Sequence, residues 1–375
     1  MKVIVVGTGI VGASAAYYLV KQGAEVIMID RPGDGKATSA GAGIICPWIS
    51  RVENPHWYAI AKRGAQYYPE LIAQLKMDGE TETGYKQVGA ISVSSDPAEL
   101  DEVERRVHEK QLKAPELGEI KRFNHQEAKA RFPALSNGLE GVYVSGAARM
   151  DGRFMRDSLK RAAIKNGAQF IEGEAFLTAE DLKVIGVHVN GQDIKADYVL
   201  SASGAWAPEQ MKPLGLDLAI EPQRGQIAHI TLPEQDTADW PVILPQTSHY
   251  MLAFDDSRIV AGATREEGSG FDYRLTAGGV NQVLDAALDV ASGLGEGTLE
   301  EVRIGFRPMS PDKLPLIGPV SEVENLHIVN GLGPSGLTMG PYAGKLAAKQ
   351  ILDENIELDM SPYRPDRAIS KSAAN

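Results

Sequence analysis

The sequence predicts an α/β unit built on a parallel sheet, joined to an α+β unit built on an antiparallel sheet. Three observations carry that expectation. A glycine-rich turn, Gly7-Thr8-Gly9-Ile10-Val11-Gly12, stands between an apolar run and a run of small residues at the start of the chain. From Pro222 the texture changes to short segments of alternating polarity, and near the C-terminus a second glycine-rich turn, Gly331 to Gly336, follows the apolar run Leu326 to Asn330. At 375 residues the chain exceeds the usual size of one domain, so two are expected.

Val3 to Val6 reads as a short buried strand and Ala13 to Gln22 as a helix, whose Ala13, Ser14, Ala15 and Ala16 permit close packing on a sheet. That context makes the turn Rossmann-like. Gly7 allows the tight bend, Gly9 leaves room for a pyrophosphate, and Gly12 lets the helix approach the strand. The unpaired amides of the helix start, about Ile10 and Val11, attract phosphate charge. A second strand, Glu25 to Ile29, closes on Asp30, at the distance where an acid grips ribose hydroxyls. Dinucleotide binding outweighs a chance glycine turn on this order of parts.

Arg31 to Lys36 is polar and turn-rich, and Ala37 to Ile45 is a string of small residues. A flexible loop is one explanation. Backbone approaching a flat or phosphate-bearing ligand is the other, with the Thr38 and Ser39 hydroxyls as donors and Ala40, Gly43 and Ile44 alongside. Its place after the acid-terminated strand favours the ligand. His56 to Met77 then reads as helix, Gly84 to Ser94 as strand, and Pro97 to Lys113 as a charged helix with a solvated face. Asp151 to Gly167 and Ala168 to Ile171 repeat the helix-to-strand rhythm. The strand at Tyr198 breaks into Ser201-Ala202-Ser203-Gly204-Ala205-Trp206, a turn able to close over the same ligand.

Beyond Pro222, strands are expected at Gln226 to Thr231, His249 to Phe254 and Arg258 to Thr264, the last two linked by Asp255-Asp256-Ser257 as a hairpin. A helix over Gly279 to Ser292 precedes a strand over Glu301 to Phe306. The strand Leu326 to Asn330 ends in the second glycine turn, and Leu337 to Glu354 continues as a long helix. A nicotinamide enzyme needs only the first junction, whereas a two-ended cofactor uses both. A helix start aimed at a flavin stabilises the negative charge of its reduced ring.

Hydrophobic residues make up 43% of the chain and charged residues 23%, ordinary for a globular protein. A net charge of −12 without a Lys/Arg cluster argues against nucleic acid and anionic membrane surfaces. The apolar start is too short and too glycine-rich for a spanning segment or a signal peptide. Cys46 is the single cysteine, so no intrachain disulfide, CxxC pair or cysteine-rich metal site can form, and a reducing cytoplasm is expected. The seven histidines are scattered without HxxxH or HExxH spacing, and no metal is expected.

With these motifs in this order, the chain resembles the FAD-dependent D-amino-acid oxidase superfamily, and looks most like the bacterial branch of glycine oxidase, sarcosine oxidase and the D-amino-acid dehydrogenase small subunit. The resemblance covers nearly the whole length. Its most specific part is Gly305-Phe306-Arg307-Pro308-Met309-Ser310-Pro311-Asp312-Lys313-Leu314-Pro315-Leu316-Ile317-Gly318, similar to the family's Gly-Leu-Arg-Pro-x-x-x-Asp-x-x-Pro-x-Ile-Gly. It implies that Arg307 binds the substrate carboxylate beside the flavin. Strand alternation agrees, setting Arg303, Gly305 and Arg307 on one face, and a guanidinium fork suits a carboxylate. Arg303 is assigned an ordinary ion pair. Tyr250 matches the family's active-site tyrosine, against the alternative of a packed strand tyrosine, while His249 points to the opposite face.

The resemblance also implies that FAD touches Ala175, Ser203, Gly204 and Trp206, and at the second junction Gly333, Ser335, Gly336, Leu337 and Thr338, together with Arg31 and Arg307. It divides the chain into an FAD-binding domain over 1–85, 145–220 and 305–362, a discontinuous antiparallel-sheet substrate domain over 86–144 and 221–304, and a tail over 363–375. Two departures stand out. The loop Gly333-Pro334-Ser335-Gly336 lacks an arginine that glycine oxidase carries, and Arg265 stands where an apolar residue is usual, which suits an acidic or longer substrate. No cysteine lies near Arg307-Pro308, so the FAD is expected to be non-covalent.

The implied reaction is oxidation of the carbon–nitrogen bond of a small amino acid, of the D-amino acid, glycine or N-methylglycine type, by hydride transfer to flavin N5. The imino acid then hydrolyses to a keto acid and ammonia, and oxygen or a quinone takes the electrons. The alternatives are an FAD enzyme of the same fold acting on a 2-hydroxy acid or glycerol phosphate, a nicotinamide dehydrogenase, and a flavin-carrying subunit that needs a partner. A cytoplasmic protein is expected, with peripheral attachment at the inner membrane face and homo-oligomerisation both left open.

Overall fold

Alternation along the first strand, β1 (Lys2–Val6), decides the central layer. Val3 and Val5 join one buried cluster and Ile4 and Val6 another, so the sheet must be covered on both faces. The computed structural model, which describes residues 1–372, shows what covers them.

After β1 come α1 (Ile10–Lys21), β2 (Glu25–Asp30), α2 (Pro55–Met77), β3 (Ala90–Ser94), α3 (Pro97–Gln111), β4 (Ile120–Phe123) and β5 (Glu140–Val144). Then follow α4 (Gly152–Lys165), β6 (Gln169–Glu172), β7 (Tyr198–Ser201), β8 (Glu221–Thr231), β9 (Val242–Pro245), β10 (Tyr250–Ala253) and β11 (Arg258–Gly262). The chain continues through α5 (Ala277–Val290), β12 (Thr298–Met309), β13 (Leu316–Pro319), β14 (Leu326–Asn330) and α6 (Gly336–Ile351).

The first sheet has the order β13-β14-β7-β1-β2-β6, parallel except for the edge strand β13. Helices α1, α2, α4 and α6 cover one face. Three short antiparallel strands spanning residues 176–195 cover the other, bringing Leu177, Val184 and Val187 against Ile4 and Ile27. The second sheet has the order β12-β8-β11-β10-β9-β3-β5-β4 and is antiparallel except where β9 runs beside β3. One of its faces packs on α5 and the segment Phe123–Leu135. Strand β12 runs unbroken through residue 305 and belongs to this second sheet.

The helix starts have local causes. Asn54, Asp96, Asp151 and Thr276 each accept backbone N–H bonds with their side chains just before α2, α3, α4 and α5. Helix α1 begins at Ile10, three residues earlier than the apolar period suggests, because the Thr38 hydroxyl accepts the Ile10 amide at 3.0 Å and caps the first turn. The strand expected over Gly84 to Ser94 forms in two pieces, Lys86–Gln87 and Ala90–Ser94. Gly89 has a φ of +75°, and its amide and that of Val88 both turn to the Ala147 carbonyl, which ends any continuous strand there. The hairpin across Asp255-Asp256-Ser257 pairs β10 with β11.

The segment read as a tail over 363–375 packs as far as residue 371. Tyr363 is buried and donates its hydroxyl to the His56 carbonyl at 2.6 Å, Arg367 pairs with Asp312, and residues 369–371 pair with 216–218. Residues 373–375 lie outside the described residues. Among the described residues no helix is long and apolar enough to cross a membrane.

Candidate active site

A cavity of about 640 Å³ runs from the carboxyl ends of β2 and β6 to the near face of the second sheet. Its size is in the range of cofactor and ligand sites. At the first end the chain leaves β1 through Gly7, whose φ is +92° and where a Cβ would lie 2.5 Å from the Ala202 carbonyl oxygen. A Cβ on Gly12 would meet the Gly7 oxygen at 1.8 Å, so α1 can approach β1 only with glycine there. Gly9 differs, since its Cβ would touch only the Thr38 hydroxyl, at 3.2 Å. With the Ile10 amide capped by Thr38, the Val11 and Gly12 amides are the ones α1 leaves without an intrahelical partner.

Asp30 closes this end. Its Oδ2 accepts the Thr8 hydroxyl at 2.8 Å and lies 3.0 Å from the Lys36 ammonium, while Oδ1 has no partner among the described residues and stays open to a ribose hydroxyl. Arg31 pairs with Glu174 at 2.8 Å and lies 5.4 Å over the Trp206 ring. Further along, the Ser203 hydroxyl donates to Gln210, and the Asn330 side-chain amide donates to the Gly204 carbonyl at 2.8 Å. That last bond ties the turn after β7 to the second glycine junction. Gly333, at φ +52°, opens a short 3-10 turn, and α6 begins at Gly336.

At the other end the second sheet presents its near face. Gln223 of β8 is opposite Arg307 of β12, and Gly225 is opposite Gly305. Arg307 Nη1 donates to the Gln223 Oε1 at 3.1 Å and to the Thr264 carbonyl at 3.0 Å. The guanidinium lies directly above Gly225, where a Cβ would stand 2.5 Å from Nη2. A Cβ on Gly305 would lie 2.8 Å from that of Ala40, so the turn Ala37–Ala40 rests on bare backbone. Tyr250 reaches the same guanidinium. Burial pushes its phenol above the usual range against the pull of Arg307 and Arg265, so it remains a neutral donor. Burial and the nearby Arg265 charge weigh against the Arg307 charge, which an incoming carboxylate would relieve.

Of the residues read from the sequence, Gly7, Gly9, Ile10, Val11, Asp30 and Arg31 line the cavity, as do Thr38, Ala40, Gly43 and Ile44. Ala175, Ser203, Gly204, Trp206, Gly333, Gly336 and Leu337 also line it, and Tyr250, Arg265 and Arg307 stand at the second-sheet end. Four stand off the wall. Gly12 is a packing residue; Ser39 accepts from Arg156 at 2.9 Å, because a 3-10 turn sends successive side chains to different sides and Thr38 takes the inner one. Ser335 precedes α6 without a side-chain bond, and the Thr338 hydroxyl donates to the Ile44 carbonyl at 2.9 Å. Arg303 pairs with Glu301, and His249 is off the cavity wall with a buried Nε2 that has no partner.

The sequence reading missed Lys36, Gln223 and Gly225. Their signal is tertiary, since each acts through a residue brought near by strand register or loop closure. The open Oδ1, the free helix-start amides and the glycine-floored cavity fit the two-ended FAD. Cys46 is buried, and burial pushes its thiol up to about 12, so no thiolate is at hand for a flavin link.

Residues 2–350 match the sequence model of the FAD dependent oxidoreductase (DAO) family. The chain is 49% identical over 368 residues to the uncharacterized oxidoreductase YurR of Bacillus subtilis (strain 168), covering 98% of this chain and 99% of that protein. It is 29% identical to the glycine oxidase of Pseudomonas aeruginosa, covering 97% and 98%. Among solved structures, the iminodiacetate oxidase IdaA of Chelativorans sp. BNC1 superposes with a TM-score of 0.94 at 46% identity, over 97% of this chain and 98% of that one.

Proposed function

Because the chain belongs to the FAD-dependent oxidoreductase (DAO) family, we propose that it oxidises the carbon–nitrogen bond of a small amino acid whose carboxylate is held by Arg307. The observation that carries this reading is the Arg307 guanidinium, fixed by Gln223 and the Thr264 carbonyl and turned into the cavity beside Tyr250. When bound, FAD supplies the hydride acceptor. The protein's share is orientation: the guanidinium fork and the Tyr250 hydroxyl take the carboxylate, which sets the direction of the substrate's α carbon.

Amines are favoured over 2-hydroxy acids by what surrounds Arg307. A hydroxy acid must give up its hydroxyl proton to a base. Tyr250 is held protonated, His249 lies off the wall, and Glu266 is bound by Arg224, Gln226 and Thr264. An amine needs no such base once it is neutral. The similarity to a glycine oxidase and to an iminodiacetate oxidase supports a carboxymethylamine unit as the group oxidised. Cofactor contacts are assigned to the lining residues of the first end, from Gly7 to Trp206, and to Gly333, Gly336 and Leu337.

Anaerobic mixing of the purified protein with glycine, N-methylglycine, D-alanine, iminodiacetate, lactate and glycerol 3-phosphate tests the reading. Bleaching of the flavin by at least one amine and by neither oxygen analogue is expected. Bleaching by lactate or glycerol 3-phosphate alone overturns it.

A further inference from the structure

Arg265 follows β11 by three residues and lines the cavity at the Arg307 end. Its guanidinium is exposed and makes no hydrogen bond or ion pair among the described residues. The other arginines bordering this region are neutralised: Arg31 by Glu174, Arg224 by Glu266, Arg303 by Glu301. No acid is available to Arg265. Glu266, its neighbour in sequence, takes bonds from Arg224 at 3.0 Å, from Gln226 at 2.7 Å and from the Thr264 hydroxyl at 2.7 Å, and Glu267 lies 3.4 Å from the Gln223 amide. Meanwhile the charge on Arg265 is felt by Arg307, Tyr250 and His249 alike. The titratable groups facing this corner of the cavity are therefore two cations, one neutral phenol, one neutral imidazole off the wall, and Glu266, whose charge reaches Arg307 while its oxygens are held by Arg224, Gln226 and Thr264.

A single carboxylate occupies Arg307 and Tyr250 and leaves Arg265 unpaired. In a chain of net charge −12, two guanidinium groups in one cavity, neither in an ion pair among the described residues, are a selective feature. We propose that the substrate carries two carboxylates, one held by Arg307 with Tyr250 and the other by Arg265 at the cavity mouth, and that Arg265 is the residue selecting dianionic amines over glycine-type monocarboxylates. This rests on the reading that Arg307 holds a carboxylate. The two arginines have different duties. Arg307 is held on its strand by two bonds and sets the α carbon, whereas the exposed Arg265 can follow substrates of different length.

The test uses two ethers that cannot be oxidised as amines, oxydiacetate with two carboxylates and methoxyacetate with one. Both are titrated calorimetrically into the FAD-loaded protein at low and at physiological salt. Oxydiacetate is expected to bind at least about tenfold tighter than methoxyacetate, a ratio that shrinks with salt because Arg265 is exposed. In Arg265→Gln the ratio falls to about one, and in Arg265→Lys, which keeps the charge without the fork, it lies between. A ratio near one in the unaltered protein, or a ratio that survives Arg265→Gln, overturns the proposal. If both ethers bind and Arg307→Met abolishes both, the carboxylate role of Arg307 stands even so. If neither ether competes with any amine that bleaches the flavin, both readings fall.

Discussion

Replacing Gly225 by alanine isolates the placement of Arg307 from its charge. Gly225 has no positive φ, so alanine is permitted on the strand backbone. The added Cβ would stand 2.5 Å from Nη2, 2.7 Å from Cζ and 2.9 Å from Nη1 of Arg307. Ordinary contact begins near 3.4 Å, so the guanidinium must retreat by about 0.9 Å. Its anchors at Gln223 and Thr264, at 3.1 and 3.0 Å, cannot both survive such a move. A displacement of about 1 Å at a positioning group costs on the order of a hundredfold in turnover efficiency, or about 2.7 kcal/mol of transition-state stabilisation. The atom displaced is the end of a flexible side chain, so the fold should tolerate the change. The assay is kcat/KM for the best amine, with the thermal midpoint and FAD content measured on the same preparation. Loss of efficiency with an unchanged midpoint and full FAD content is expected. Unchanged efficiency would show that the guanidinium does not hold the substrate from where it lies.

Arg307→Ala should abolish measurable turnover while the protein still purifies yellow, because the other proposed cofactor contacts, from Gly7 to Trp206 and at Gly333, Gly336 and Leu337, are left in place; wild-type kcat/KM in this variant ends the assignment. Gly12→Ala and Gly9→Ala should part company. The Gly12 Cβ would press on backbone oxygen at 1.8 Å, costing more than about 4 kcal/mol and most of the soluble yield, whereas the Gly9 variant should fold and carry less FAD, as read from absorbance per chain. Burial, with the nearby Arg303 and Arg258 charges, holds His229 down at about 3, and burial holds His327 at about 4. Both are neutral when folded, while the unfolded chain takes up their protons below about pH 6.5, so stability is lost as pH falls from there. Between pH 7 and 5 that loss is roughly 2 kcal/mol for each histidine. His327→Phe, which keeps the edge-on contact with Tyr198, should remove about half of it in denaturant titrations at the two pH values; an unaltered pH dependence counts against the buried neutral imidazole.

The glycine turn, the acid at Asp30 and the Arg307-Pro308 stretch were legible because each is written in consecutive residues whose backbone needs are local. A bend with φ of +92° at Gly7, or an amide row at a helix start, requires nothing from the rest of the chain. Where the reading slipped, a distant partner intervened. Thr38 started α1 three residues early, the Ala147 carbonyl interrupted the expected strand at Gly89, and the 3-10 geometry of Ala37–Ala40 sent Ser39 outward.

What the sequence determined by itself is therefore a two-ended dinucleotide site with an arginine on a strand. It could not determine what surrounds that arginine. Gln223 and Gly225 meet Arg307 across more than 80 residues of chain only because β8 and β12 pair in one register, and a slip of one residue would turn both to the other face. The pairing of β8 with β11, continued by the bridge between Arg224 and Glu266, leaves Glu266 engaged with Arg224 and Arg265 on the cavity wall without an ion pair among the described residues.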